Sequence, residues 1–116
     1  MGQVSSKLRR TTQGYTHWCP ACEQMHILPD SWNFVNGDLE NPTFTPSFDQ
    51  VGILETVGPD GEWDGDWKRD DDGNTIPFKC HYILTDGILH FCGDSRHKLS
   101  GQNVPLPVLP DFLRDD

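Results

Sequence analysis

Residues 78–94, FKCHYILTDGILHFCGD, set two apolar runs on either side of Asp86-Gly87, a dipeptide that tolerates the positive φ of a two-residue hairpin turn. Such a turn fixes register, and register fixes faces. Thr85 then faces Ile88, Leu84 faces Leu89, Ile83 faces His90, Tyr82 faces Phe91 and His81 faces Cys92. Side chains alternate along a strand, so Tyr82, Leu84, Leu89 and Phe91 share a core face. His81, His90 and Cys92 share the other. Cys80 points away from His81 unless a bulge rotates it.

The rest of the chain also reads as short strands. No window carries a helical stripe over ten or more residues, and the apolar runs are bounded by Gly, Pro, Asn and Asp. Tyr15–Cys19 leads into CPAC (residues 19–22) and Met25–Leu28 leads out, the form of a hairpin closed by a metal knuckle. Trp32 and Phe34 alternate before Asn36-Gly37, which suits a tight turn. In NPTFTPSF (residues 41–48) Pro42 and Pro46 cannot donate ladder hydrogen bonds. That stretch is expected as an edge strand or extended segment with Phe44 and Phe48 facing the core. The terminal NVPLPVLPDFLRDD should run extended, with Val and Leu laid along the domain.

The expected fold is mainly β: a small single domain of β-hairpins joined by a zinc-knuckle or ribbon-like site, with little helix. Residues 1–13 read as a flexible polar arm, 14–110 as the zinc-binding domain and 111–116 as a tail. Within the domain, GPDGEWDGDWKRDDDGN (residues 58–74) carries seven acidic side chains and four glycines and is expected as a mobile loop. Lys68 breaks the calcium-loop pattern that Asp64 and Asp66 begin. Trp63 and Trp67 are the candidate partner-binding residues there.

Composition narrows the function classes. A length of 116 residues leaves no room for two independent cores, and 34% hydrophobic residues give a thin one. Such a domain gains from a staple. A net charge of −9 argues against binding phosphate backbones. No stretch approaches the ~18 apolar residues of a membrane span, and no export signal precedes the domain. The four cysteines are therefore expected in a reducing cytosol, where metal binding is favoured over disulfides.

Cys19 and Cys22 have the C-x2-C spacing that wraps two thiolates around one Zn2+. The hairpin supplies candidates for the other two ligands. His81 and Cys92 are cross-strand neighbours on one face, so the expected set is Cys19, Cys22, His81 and Cys92, with Cys80 and His97 as substitutes. His26, four residues past Cys22, is a further candidate or simply a strand residue, and His17 flanks the pair on the other side.

The combination of CPAC (19–22), NGDLENPTFTPSF (36–48), CHYILTDGILHF (80–91) and GDSRHKLSGQNVPLP (93–107) resembles a family of small uncharacterised proteins of tailed bacteriophages and prophages. Some of its members carry an ammonia monooxygenase label that this sequence does not support. The resemblance implies a phage origin, a bacterial host cytoplasm and a zinc site, and it carries over Cys19, Cys22, Cys80, His81, Asp94 and His97 as motif positions.

Two function classes follow. The first is a zinc-stabilised protein that acts by binding a host or phage protein, its metal closed by four protein ligands. The second is a metal-dependent hydrolase or deaminase with an open metal position, in which Asp94 and His97 would serve as catalytic groups. H-x-E and HExxH are both absent, so the first is preferred. A minor virion component is a third expectation.

Overall fold

The Asp86-Gly87 turn forms as read, with φ of 49° and 76°. This is seen in a computed structural model, which describes residues 2–114. Strand β8 (Pro77–Thr85) pairs with β9 (Ile88–Phe91) in the expected register, Tyr82 opposite Phe91 and Thr85 opposite Ile88. One step further, the Cys92 amide donates to the His81 carbonyl at 2.8 Å.

This hairpin is the centre of a five-stranded antiparallel sheet. It is flanked by β10 (Asn103–Pro105) beyond β9, and by β5 (Phe44–Ile53) and then β4 (Asn33–Phe34) beyond β8. Tyr82, Leu84, Leu89 and Phe91 are at most 3% exposed, and with Phe44, Phe48 and Phe78 they make the inner face of the sheet. Each large side chain there is worth about 2–5 kcal/mol against truncation to Ala.

A second sheet, β1 (Leu8–Arg10), β2 (Gly14–Cys19) and β3 (Gln24–Pro29), covers that inner face. Its packing is aromatic. His26 stacks on Phe48 with ring centroids 4.4 Å apart, and Tyr15 meets Phe44 edge-on at 5.9 Å. Strand β5 opposes β8 with a register shift between Phe44 and Phe48. Three residues, Thr45–Ser47, thus bulge opposite Ile83.

Several expectations need correction. Part of the arm is strand: Leu8 is fully buried, the Ser5 hydroxyl donates to the Leu39 carbonyl and the Leu109 amide donates to the Ser6 carbonyl. One buried leucine anchors a short polar segment that composition alone marks as loose. Asn36-Gly37 is no two-residue turn. The Asn36 side chain instead caps a wider loop, accepting from the Asp38 and Thr43 amides and donating to the Asn41 carbonyl. The acidic stretch is partly built: β6 (Glu55–Val57) pairs with β7 (Trp63–Trp67), and the two indoles lie 4.8 Å apart on one face. Two tryptophans at a spacing of four share a strand face, so much of their surface is spent on each other, although Trp63 remains 49% exposed.

The proline-rich C-terminal run is extended, with Leu106 and Leu109 buried. It ends in a 3-10 turn at Asp111–Leu113. Met1 and the last two residues of the expected tail, 115 and 116, lie outside the described residues. Among the described residues no helix is long and apolar enough to cross a membrane.

Candidate active site and metal centre

Strand alternation gives three successive residues of β8 different tasks. Cys80 and Tyr82 point inward and His81 points outward. A cluster of sulfur and imidazole donors forms on the inner side and a histidine–carboxylate–thiol cluster on the outer side.

On the inner side the turn after β2 brings Cys19 and Cys22 against Cys80, and β3 adds His26. One ligand atom from each lies within 4.8 Å of all the others, and all four residues are buried. The Cys19 and Cys80 sulfurs are 3.9 Å apart. Two sulfurs at ~2.3 Å from a tetrahedral zinc would be separated by about 3.8 Å.

The electrostatics also suit a cation. Thiol donors from Cys22 and then Cys80 push the Cys19 pKa down, so one thiolate is readily formed. The same sharing pushes Cys22 and Cys80 up, because further negative charge in one buried spot has nothing to balance it. A dication removes that conflict. Burial pushes His26 down to about 4, which leaves it neutral and able to ligate at pH 7. Its Nε2 is buried without a hydrogen-bond partner. The donors present therefore fit a metal ion.

This set differs from the expected one. Cys19 and Cys22 are joined by Cys80 and His26, while His81 and Cys92 lie across the sheet. As the alternation predicts, Cys80 lies on one face of the hairpin and His81 with Cys92 on the other. What the sequence lacked was the side on which the CPAC knuckle docks. A signal for His26 was present: counting inward from Leu28 along β3 gives His26 and Gln24, the buried residues of that strand. His97 lies behind Phe91, ring centroids 4.7 Å apart. Its Nδ1 accepts from the Leu99 amide at 3.1 Å. A neutral ring of that tautomer carries its proton on Nε2, so it presents a donor rather than a ligand lone pair.

On the outer side His81, Cys92 and Asp94 cluster at partly exposed positions. His81 Nδ1 lies 3.0 Å from one Asp94 carboxylate oxygen and 3.3 Å from the other. That contact, with Lys79 adding at 3.6 Å, holds the Asp94 carboxyl below its ordinary range. Lys79 also pairs with Asp49 at 3.0 Å. Ser95 locks the local backbone: its hydroxyl accepts from the His81 amide and donates to the His81 carbonyl. Burial, reinforced by the nearby Asp94 and Asp49 carboxylates, raises the Cys92 pKa, so it stays a thiol.

Ser47 completes the picture from β5. Phe48 faces the core opposite Tyr82 and Asp49 opposes His81. Ser47 is the last residue of the Thr45–Ser47 bulge, one step before the pairing with β8 resumes at Phe48–Tyr82 and Asp49–His81. Ser47 is exposed. No G-x-S-x-G signature surrounds it, and its place beside β8 follows only from the pairing of β5 with β8.

Fold and site together define a small β protein with a buried Cys3His cluster that could hold a metal ion inside and a histidine–carboxylate pair outside. The family described as bacterial ubiquitination-like system serine protease (BubE) matches residues 2–92, and the chain belongs to it. No curated protein and no solved structure matches the chain.

Membership corrects the expected function. The family is one of enzymes, so a zinc-stapled protein working only by contacts with a host or phage partner does not stand. Neither does the metal-dependent hydrolase, since the family's chemistry is that of a serine protease and the inner cluster already offers four protein donors. A virion component finds no support either, nor does the phage origin implied by the earlier resemblance.

Proposed function

We propose that the chain is a serine peptidase in which Ser47 is the nucleophile, His81 the general base and Asp94 the residue that orients His81. The observation that carries this reading is the 3.0 Å contact between His81 Nδ1 and Asp94. A carboxylate accepting from Nδ1–H leaves the Nε2 lone pair free to take a proton, the tautomer that hydroxyl activation needs. The family described as a serine protease of bacterial ubiquitination-like systems supports a polypeptide substrate from such a system.

The steps balance with these residues. Ser47 Oγ attacks the scissile carbonyl carbon as its proton passes to His81 Nε2, and Asp94 stabilises the imidazolium. His81 then gives that proton to the leaving amine as the C–N bond breaks, leaving an acyl ester on Ser47. Water, deprotonated by His81, attacks the ester, and Ser47 recovers its proton from the imidazolium. No hydrogen bond joins Ser47 Oγ to His81; such catalytic contacts often tighten only when substrate binds.

The outer face offers two rival nucleophiles, and both fit less well. The Ser95 hydroxyl is spent on the backbone of His81. Cys92 has a raised pKa, whereas a nucleophilic cysteine needs a lowered one.

We assign Zn2+ to the inner cluster on its three sulfurs and one imidazole, a closed tetrahedral set typical of structural zinc. Bound there, the metal would tie β2, β3 and β8 together and supply folding energy rather than a reacting water. Cys80, adjacent to His81, carries that rigidity to the catalytic face.

Cleavage of a linear fusion between a bacterial ubiquitin-like protein and a reporter tests the assignment. Wild type and Cys92→Ser should cleave, and Ser47→Ala should not. Ser95→Ala should cleave in proportion to its folded fraction. Wild-type activity in Ser47→Ala, or loss in Cys92→Ser alone, would overturn it.

A further inference from the structure

Behind the sulfur cluster lies a chain of buried polar groups that the reaction does not use. His17 Nδ1 is 3.2 Å from the Trp18 carbonyl oxygen, and His17 Nε2 is 2.5 Å from the Tyr82 hydroxyl. The same hydroxyl is 3.3 Å from His26 Nδ1. His17, Tyr82 and His26 are each no more than 2% exposed. Three polar side chains are rarely placed so deep in a small core without each being satisfied.

The direction of every bond in this chain can be derived. A carbonyl oxygen only accepts, so His17 Nδ1 must carry a proton and donate to Trp18. A neutral His17 then has a lone pair on Nε2, which accepts from the Tyr82 O–H. Tyr82 has one proton and has spent it, so its oxygen accepts from His26 Nδ1–H. A neutral His26 protonated on Nδ1 has its remaining lone pair on Nε2, a buried nitrogen without a hydrogen-bond partner, on a ring grouped with the three sulfurs. The alternative, a doubly protonated His17, would bury a cation at a site with no exposure.

We propose that the relay from the Trp18 carbonyl through His17 and Tyr82 to His26 is a positioning device: it locks His26 in the Nε2-ligating tautomer and ring orientation before metal arrives. This rests on the metal reading of the inner cluster. His17 and Tyr82 are then the outer partners of a ligand they hold by hydrogen bonds, a role in which mutation commonly costs ~10–100-fold in metal affinity. The relay also explains why two histidines and a tyrosine stand where apolar residues would pack as well. His17 pairs with His26 across the β2–β3 ladder, and Tyr82 meets both from the opposing sheet.

The test uses the full chain with zinc alone. Long-range 1H–15N NMR reads the tautomers of His17 and His26, with and without one equivalent of zinc, and a chromophoric chelator reads affinity. Both rings should be protonated on Nδ1 in the metal-free protein, and zinc should shift only His26 Nε2. Tyr82→Phe should lower zinc affinity about 10–100-fold with the fold intact by circular dichroism. His26 protonated on Nε2, or a Tyr82→Phe protein that binds zinc as tightly as wild type, would overturn the relay. Should wild type bind no zinc, the metal reading fails by itself, and the metal-free tautomers still decide whether the relay runs in this direction. Should Tyr82→Phe not fold, the wild-type spectra decide alone.

Discussion

His81 and its neighbours show how much depends on where one side chain points. Asp94 fixes the ring through Nδ1, so Asp94→Asn should preserve the fold and cost about 10^4-fold in kcat, as the wrong tautomer does in other triads. Steady-state kinetics beside a melting curve checks this. A second expectation concerns pH. Burial lowers the pKa of His17, His26 and His97, with His26 brought to about 4. The unfolded chain binds these protons near pH 6.5 and the folded one resists them. Stability should therefore be full above about pH 6.5 and fall as pH drops toward 4. At ~1.4 kcal/mol per pH unit, His26 alone accounts for about 3 kcal/mol of that loss. Urea titrations of metal-free protein at several pH values would reveal the slope. The alternation with Leu28 that marks His26 as inward-facing has no counterpart for His97, which lies outside the strands.

Among the elements, the β8–β9 hairpin was the most legible because its turn chemistry and its alternation agree. Gly87 has φ of 76°, and an added Cβ would lie 2.8 Å from Asn41 Oδ1 and 2.9 Å from Asn41 Cα. Gly87→Ala should therefore destabilise by about 1–3 kcal/mol, readable as a lowered urea midpoint. The CPAC knuckle was legible as half a metal site, but its docking side was not. That choice depends on how two sheets pack, which the pattern within either strand does not encode. The bulge at Thr45–Ser47 was hidden for a similar reason. Pro46 was recognised as incompatible with a regular ladder, yet which face Ser47 would take follows only once β5 is paired with β8. The tryptophans of β7 pair with each other, a contact that composition reads as loop.

Across the whole molecule, the inner face of the central sheet holds the core and the sulfur cluster, and the outer face holds the groups proposed as catalytic. Cys80, His81 and Tyr82 connect the two through one strand. With zinc in the inner cluster as proposed, its removal by a chelator should lower the melting temperature sharply and abolish peptidase activity with it. Cys80→Ser should behave like chelation, whereas Ser47→Ala should leave melting within about 0.5 kcal/mol of wild type, as exposed substitutions do.

The central claim is that Ser47, and no other side chain on the outer face, becomes the covalent nucleophile through His81. Treatment of the zinc-loaded protein with a fluorophosphonate probe, followed by peptide mass mapping, tests it directly. The account predicts a single phosphonyl adduct on Ser47 that is absent from His81→Ala and much slowed in Asp94→Asn. An adduct on Ser95, or labelling of Ser47 that persists unchanged without His81, would contradict it.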